Sequence, residues 1–138
     1  MKVRQYQSSD YEQLKRLYLD SSTYGGQFDE ARDAEERLQK RIEADPDAIL
    51  VAEDDGNVIG TVSLIDDGRV AWLFRFAVKN AHMEVTQLLH DEAIKLLKNR
   101  GHKQVLVYTP VGNTGLNDRY EKLGFTKGSD YSCYWKEV

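Results

Sequence analysis

The chain has 138 residues, a formal net charge of −4 at neutral pH and a sequence pI near 5.4. Because such an acidic chain has no overall attraction for a polyphosphate backbone, nucleic acid is not expected as a partner. We expect a soluble cytoplasmic protein: no apolar run approaches the ~20 residues of a membrane span, MKVRQYQ lacks the apolar stretch of a secretory signal, and the only cysteine, Cys133, cannot form an internal disulfide.

The first predicted elements are a short strand and a helix. Residues 2–6 alternate in polarity, as a short strand does. Ser9 and Glu12 have the spacing of a capping box, in which each side chain satisfies a free amide at a helix start. The helix that follows is predicted to bury one apolar stripe, made by Tyr11, Leu14, Leu17 and Tyr18.

A loop and a second helix come next. The segment SSTYGGQF, residues 21–28, combines paired glycines with small polar residues, which favours a loop. A highly charged helix is predicted over about 30–44, and its thin apolar stripe contains Ala31, Ala34, Leu38 and Ile42. Asp45-Pro46 should end this helix, because the residue before a proline disfavours the helical conformation.

Three neighbouring antiparallel strands are predicted in the middle of the chain. AILVAED and VIGTVSLI flank the turn signal DGN, and DDGR separates the second strand from VAWLFRFAV, residues 70–78. Strict alternation in this third strand places Phe74 and Phe76 on one face and Arg75 on the other. Both faces are otherwise largely apolar, which is typical of a central strand covered on each side.

The last part of the chain predicts a helix, a strand, a short helix and a final strand. The apolar stripe of the first of these helices contains Val85, Leu88, Leu89, Ala93, Leu96 and Leu97. KQVLVYT predicts a strand, NTGLNDRYEKLG a helix that ends at Gly124, and YSCYWKEV a strand. We therefore predict one α/β (α+β) domain over residues 1–138, with a mixed, mostly antiparallel sheet of six to seven strands and about four flanking helices.

The order of elements, together with VLVYTPVGNTGLNDRYEKLGF, resembles the GNAT superfamily of acyl-CoA-dependent N-acetyltransferases. The closing part of that family has a strand, an asparagine, a small or apolar residue three positions later, and then Y-E-K-L-G-F. Asn113, Leu116 and residues 120–125 stand at these positions. The order of elements covers nearly the whole chain, whereas the match of individual residues is confined to about 105–125.

The resemblance implies a cleft for the pantetheine arm of acetyl-CoA, with residues 74–78 and 105–109 as its walls. Asn113 would bind the arm, and the backbone contacts implied for the thioester are Phe76, Ala77 and Val78. Tyr120 matches the family's tyrosine near the sulfur. A phenol has a reference pKa of about 10, so it stays protonated at neutral pH and can give a proton to the departing thiolate. In the alternative, the Tyr120 ring only packs on the sheet.

The junction before the third long helix departs from the family. Members bind the CoA pyrophosphate with a loop resembling Arg/Gln-x-x-Gly-x-Gly/Ala, whose backbone amides approach the phosphates. Here KNAHMEVTQ contains no glycine. If Asn80 caps the helix, three backbone amides still form a small anion site, those of Ala81, His82 and Met83. Lys79 would support this site and Glu84 would oppose it. In the alternative, the junction is only a structural connection and the cofactor function has been lost.

The resemblance also implies a site for the acceptor amine, which the loop between the first two helices helps to enclose in the family. That loop is residues 21–28, and its predicted substrate contacts are Tyr24, Gln27 and Phe28. The same residues could instead form a flexible lid or pack on the core. The fourth strand offers no carboxylate near Trp72 to act as a base, so Glu53 is one candidate from elsewhere.

Two functions are therefore considered. The first is an N-acetyltransferase that moves an acetyl group from acetyl-CoA, bound more weakly than usual, to a primary amine of a small molecule or peptide. The alternative is a catalytically silent GNAT-fold binding or regulatory module that has lost normal CoA pyrophosphate binding. No metal is expected, because the three histidines lack metal-site spacing. The aromatics of the last strand are consistent with a homodimer, namely Tyr131, Tyr134 and Trp135.

Overall fold

Four strands form an antiparallel sheet in sequence order in the computed structural model, which describes residues 1–20 and 28–138. The strands are β1 (Lys2–Gln5), β2 (Ile49–Asp54), β3 (Asn57–Asp66) and β4 (Ala71–Val78). The helices of the described residues are α1 (Tyr11–Leu19), α2 (Glu35–Ala44), α3 (Met83–Asn99) and α4 (Thr114–Lys122). Short 3-10 turns lie at Ser8–Asp10 and Lys79–Ala81. Two compact units contain these elements: residues 1–107 hold the sheet and α1 to α3, and residues 108–138 hold α4.

The mixed α+β architecture with four helices and an antiparallel sheet is confirmed, but the predicted count of six to seven strands is wrong. KQVLVYT contributes a single parallel bridge, from Leu106 to Trp72. YSCYWKEV, predicted as the final strand, is exposed and outside the strands of the described residues. An alternating apolar segment becomes a strand only where a neighbouring edge accepts its backbone hydrogen bonds. The single domain over residues 1–138 stays a prediction.

The sheet carries buried side chains on both faces, as the uninterrupted burial of Ile49–Ala52 in β2 indicates. On one face, α1 packs against β3 and β4, and the cluster of buried side chains there includes Leu14, Tyr18, Leu38, Ile49 and Val51. On the other, α3 packs against β2 and β3 through its buried stripe of Val85, Leu89, Ala93 and Leu97. The stripes predicted for α1 and α3 are therefore confirmed as the core-facing sides of these helices, although Leu88 and Leu96 are only half-buried.

The starts of the first two helices differ from the prediction. The capping box predicted at Ser9 and Glu12 is wrong: the box lies at the preceding 3-10 turn, where the Asp10 carboxylate accepts a hydrogen bond from the Gln7 amide at 2.9 Å, and α1 itself begins without a side-chain cap. The second helix begins at Glu35 instead of about residue 30. The preceding residues are held in a turn by Asp29, whose carboxylate accepts from the amides of Ala31 and Arg32. Aspartate favours such local hydrogen bonds over continuing a helix.

The turn between β2 and β3 was correctly predicted from DGN. Asp55 and Gly56 have φ values of 50° and 78°. Positive φ at both central positions is the requirement of the two-residue hairpin turn whose twist matches that of the flanking strands. The turn therefore fixes the start of β3, with Asn57 opposite Asp54.

Candidate functional site

A β-bulge interrupts β4 at Arg75. Two residues of β4, Arg75 and Phe76, lie opposite one residue of β3, Val62. Arg75 has a φ of +50°, a left-handed conformation that is uncommon for residues other than glycine. The bulge breaks the predicted alternation, because Phe74 and Arg75, predicted on opposite faces, both line the same cavity.

Only the first residues of β4 pair, on the outer edge of the sheet, with the next extended segment of the chain. The Leu73 amide donates to the Leu106 carbonyl at 3.0 Å, and the Leu106 amide donates to the Ala71 carbonyl at 3.0 Å. Beyond this bridge, residues 74–78 have no strand partner on that edge in the described part of residues 1–107. The three residues predicted to contact the thioester lie in this stretch, and their side chains are buried: Phe76, Ala77 and Val78.

The junction between β4 and α3 contains two consecutive left-handed residues. Asn80 has φ 55° and ψ 21°, and Ala81 has φ 51°. Glycine adopts this conformation readily and asparagine tolerates it, whereas for alanine it costs roughly 1–2 kcal/mol. The glycine-free junction thus keeps a backbone conformation that glycine normally favours, and it does so at an energetic cost.

Helix α3 begins without a side-chain cap. Its N-cap residue is His82 and not Asn80, and no side-chain hydrogen bond caps this end. The amide of Thr86 donates to the His82 carbonyl at 3.0 Å as the first hydrogen bond of the helix. The amides without a partner inside the helix are therefore those of Met83, Glu84 and Val85.

The predicted anion site is consequently displaced by two residues along the helix start, from residues 81–83 to residues 83–85. The amide of His82 donates to the Lys79 carbonyl at 3.3 Å, so it is engaged in the 3-10 turn. Lys79 and Glu84 are both exposed, so one charge of each sign stands beside the uncapped amides. The positive end of the helix dipole favours an anion at this place.

Asn113 is the N-cap of α4. Its Oδ1 accepts a hydrogen bond from the Leu116 amide at 3.0 Å, which satisfies one of the free donors of the first turn. The side-chain oxygen is therefore used by the helix, and the Nδ2 amino group is the part of Asn113 that can donate to a ligand.

Tyr120 lies in the last turns of α4 and is 6% exposed. Its ring meets Phe125 edge to face, with centroids 5.5 Å apart and planes at 76°. The Phe125 amide donates to the Tyr120 carbonyl at 3.0 Å, and Gly124, with φ +92°, ends the helix as predicted. The Tyr120 ring therefore has a packing role, and the phenolic group could have a chemical role in addition to it.

Two of the predicted acceptor contacts, Tyr24 and Gln27, lie outside the described residues. Phe28 is half-buried against the core cluster, and the Lys15 ammonium lies 5.0 Å from its ring centroid. Glu53 is a poor candidate base, because Arg4 binds its carboxylate at 3.1 Å and Lys2 lies at 3.4 Å. The hydrogen bond from Arg4 is the main cause that lowers the pKa of Glu53.

A cavity of about 480 Å³ was missed at the sequence level. Its apolar lining comes from α1, α2, β2, β3 and β4 and includes Tyr18, Leu38, Ile49, Leu64 and Phe74. Two signals could have indicated it: the cations Arg37, Lys40 and Arg41 share one face of α2 by their spacing, and Arg75 is the one charged residue in an apolar strand.

No group of three or more His, Cys, Asp or Glu side chains within residues 1–20 and 28–138 is arranged to hold a metal ion. In the same residues, the helices lack the length and apolar character needed to cross a bilayer.

Residues 11–125 match the model of the acetyltransferase (GNAT) family, so the chain belongs to this family. A putative acetyltransferase from Agrobacterium tumefaciens has a similar fold, with a TM-score of 0.78 at 17% identity over 99% of this chain and 100% of that chain. The PaiA N-acetyltransferase from Thermoplasma acidophilum, solved in complex with coenzyme A, has a TM-score of 0.77 at 25% identity over 94% and 92%. An aminoglycoside antibiotic 6′-N-acetyltransferase from Acinetobacter haemolyticus has a TM-score of 0.75 at 16% identity over 100% and 99%. No curated protein gives a significant match.

Proposed function

We propose that the protein is an N-acetyltransferase that moves an acetyl group from acetyl-CoA to a primary amine of a small molecule or peptide. The observation that carries the cofactor part is the start of α3, which is uncapped and is reached through left-handed Asn80 and Ala81. Family membership supports the reaction class. The complex of the PaiA N-acetyltransferase with coenzyme A supports the choice of the acetyl donor.

Three groups of residues are proposed to bind the three parts of acetyl-CoA: the pyrophosphate, the pantetheine arm and the thioester. The pyrophosphate is bound at the junction, where the free amides of Met83, Glu84 and Val85 are the proposed donors. Ala81 and His82 border this site, and the His82 amide is engaged by the Lys79 carbonyl. Within residues 1–107, the proposed place of the pantetheine arm is the edge of β4 that lacks a strand partner in the described residues. Within residues 108–138, the resemblance to the family makes Asn113 the proposed contact of the arm, through its Nδ2 donor. The backbone of Phe76, Ala77 and Val78 contacts the thioester.

The proposed reaction is direct transfer without a covalent enzyme intermediate. The neutral amine attacks the thioester carbonyl carbon, a C–N bond forms and the C–S bond breaks. Tyr120 gives its phenolic proton to the departing thiolate and later recovers a proton from solvent. The new amide releases the proton that the attacking nitrogen carried. Glu53 is not proposed as the base, because its carboxylate is engaged by Arg4.

The experiment that tests the cofactor site is His82→Asp. A carboxylate at the N-cap accepts hydrogen bonds from the free amides of α3, so the free energy of unfolding should rise by about 1 kcal/mol. The same carboxylate occupies and repels the proposed pyrophosphate position. The rise in Tm caused by millimolar acetyl-CoA should therefore shrink, because this rise follows the logarithm of ligand concentration over Kd.

Asn99→Asp is the matched control, since Asn99 is exposed at the other end of α3 and the change adds the same charge. It should leave the acetyl-CoA shift intact. Glu84→Gln removes the opposing charge and should increase the shift. If the unmodified protein shows no shift at millimolar acetyl-CoA, the transferase proposal fails and the silent binding module takes its place.

A further inference from the structure

The cavity between α2 and β4 is cationic although the chain as a whole is acidic. Its charged lining residues comprise five cations and one anion, whereas the formal net charge of the chain is −4. The cations are Arg32, Arg37, Lys40, Arg41 and Arg75, and the anion is Asp33. The glutamates of α2 do not line the cavity. Its positive character is therefore local.

Two of the charged residues that line the cavity, Asp33 and Arg75, form an ion pair with each other. Asp33 is bound twice by Arg75, and its Oδ2 also accepts from the Asp29 amide at 2.9 Å. This carboxylate therefore neutralises Arg75 and has little capacity left for the other cations. Arg32 interacts electrostatically with the carboxylate of Asp29, so it too is partly compensated.

The three cations of α2 lack comparable partners. Arg37 and Lys40 are exposed, and neither forms an ion pair or a side-chain hydrogen bond with the described residues. Arg41 donates to the Leu64 carbonyl at 3.4 Å and lies 3.9 Å from Asp45. Both oxygens of Asp45 already accept hydrogen bonds from Arg100 at 2.9 Å. Arg37 and Lys40 therefore remain available at the rim of the cavity, and Arg41 is only weakly compensated.

The position of the cavity links it to acetyl transfer. Phe74 and Arg75 line it, and they directly precede the stretch of β4 proposed to contact the thioester. From this placement we infer that the cavity receives the acidic group of the acceptor, so that the substrate class is a small amine that also carries a carboxylate or a phosphate. This inference rests on the proposed transferase function. Charge-assisted hydrogen bonds from arginine and lysine suit both acidic groups, and the volume suits a small molecule.

Matched pairs of amines test the substrate class. Phenylalanine and phenethylamine differ by one carboxylate, and phosphoethanolamine and ethanolamine differ by one phosphate. We expect a kcat/KM about tenfold or more higher for the acidic member of at least one pair, and the pair that shows the preference identifies the acidic group. The preference should weaken as ionic strength rises, because the rim cations are exposed.

The variant that tests the site is Arg37→Gln/Lys40→Gln, and the control is Lys95→Gln/Lys98→Gln. All four side chains are exposed, and both double variants remove two positive charges from residues 1–107. The first should lower kcat/KM for the acidic amines by about tenfold and leave the neutral amines unchanged. The control should preserve the preference.

Binding measured by calorimetry without acetyl-CoA distinguishes a failure of the cavity assignment from a failure of the transferase function. If acidic amines bind to the unmodified protein and not to Arg37→Gln/Lys40→Gln, the cavity assignment holds even when no transfer is detected, and the transferase function alone fails. If acetyl-CoA binds but acidic and neutral members of both pairs perform equally, the substrate class is overturned while the transferase function stands. Equal binding to both double variants also overturns the assignment.

Discussion

Arg75 and Asp33 form a bidentate ion pair that joins the bulge of β4 to the segment before α2. Arg75 Nη2 lies 2.9 Å from Asp33 Oδ2, and Nε lies 3.2 Å from Oδ1. The two side chains are only 9% and 4% exposed. The guanidinium also lies 5.0 Å from the Phe74 ring centroid and 5.7 Å from that of Tyr18. This set of contacts holds Arg75 in its left-handed conformation, which the isolated backbone disfavours.

Removing either member of this pair should destabilise the fold strongly. Asp33→Asn and Arg75→Gln should each lower the free energy of unfolding by about 3 kcal/mol, because each leaves an unpaired buried charge. The double variant should lose clearly less than the sum of the two. Urea unfolding of the four proteins gives the coupling energy, and strict additivity would show that the pair is not energetically linked.

Two glycines should respond to alanine with opposite signs. A Cβ on Gly60 would lie 2.9 Å from Leu89 Cδ1 and 3.0 Å from Val85 Cγ1, so Gly60→Ala should force α3 away from β3 at a cost of about 1–3 kcal/mol. Gly115 lies in α4, and the nearest contact of its added Cβ would be Asn113 Oδ1 at 3.9 Å. Gly115→Ala should therefore stabilise by about 0.5–1 kcal/mol. Thermal unfolding of both variants checks this, and a destabilised Gly115→Ala would contradict it.

Much of the fold could be predicted because its signals are local. The 3.6-residue periodicity of Leu14, Leu17 and Tyr18 in α1 follows from the packing of one helix face on the sheet. The hairpin at Asp55-Gly56 follows from the need for positive φ at both turn positions. These features depend on residues that are neighbours in sequence.

The missed features depend on partners that are distant in sequence. The bulge at Arg75 is stabilised by Asp33, and nothing in AWLFRFAV alone indicates the register shift. The segments KQVLVYT and YSCYWKEV alternate like strands, but KQVLVYT bonds to β4 only at Leu106, although the edge of β4 continues over residues 74–78. Sequence periodicity does not reveal where a segment stays beside a neighbouring strand and where it leaves it. For the candidate site, the absence of glycine in KNAHMEVTQ indicated a changed junction, whereas the left-handed Asn80 and Ala81 appear only in three dimensions.

Arg100 should make stability depend on acid pH. Its guanidinium lies 2.9 Å from Asp45, 3.2 Å from Asp66 and 3.6 Å from Asp47. The hydrogen bond from Arg100 is the main cause that lowers the pKa of Asp45, and the Gly68 amide followed by Arg100 lowers the pKa of Asp66. A carboxyl whose pKa is lower in the folded state contributes stability above its unfolded value of 3.8 and loses it as pH falls through the folded value.

Arg100→Gln should therefore reduce the free energy of unfolding by about 1–2 kcal/mol at pH 7, a modest loss because the side chain is 29% exposed. The difference from the unmodified protein should shrink as pH falls below 3.8. Urea unfolding at several pH values measures this. Arg69→Gln is the control, because Arg69 is 87% exposed and pairs with Asp67 at the surface. A difference that stays constant down to acid pH would show that these carboxylates are not its source.

Asn113 allows its structural and its proposed binding roles to be separated. Asn113→Ala removes the cap of α4 and should cost about 1 kcal/mol of stability. Asn113→Asp keeps an oxygen acceptor for the Leu116 amide, so stability should be nearly unchanged, but it lacks the Nδ2 donor. We expect both variants to weaken acetyl-CoA binding, measured as the Tm shift. Full binding by Asn113→Asp would leave Asn113 with the capping role alone.

Tyr120→Phe tests the proposed acid. Phenylalanine preserves the edge-to-face contact with Phe125, so the Tm should change little and acetyl-CoA should still bind. Loss of the phenolic proton should lower kcat by about 100-fold or more. Tyr134→Phe is the control, because Tyr134 is 93% exposed and outside the proposed site.

A second acetyl donor makes this test specific for proton transfer. An acetyl thioester of an acidic thiophenol releases a stable thiolate that needs no proton, so the kcat of Tyr120→Phe should approach that of the unmodified protein with this donor. A structural defect would instead slow the reaction with both donors equally. An undiminished defect with the acidic leaving group would therefore remove Tyr120 from the acid role, even if the variant is slow with acetyl-CoA.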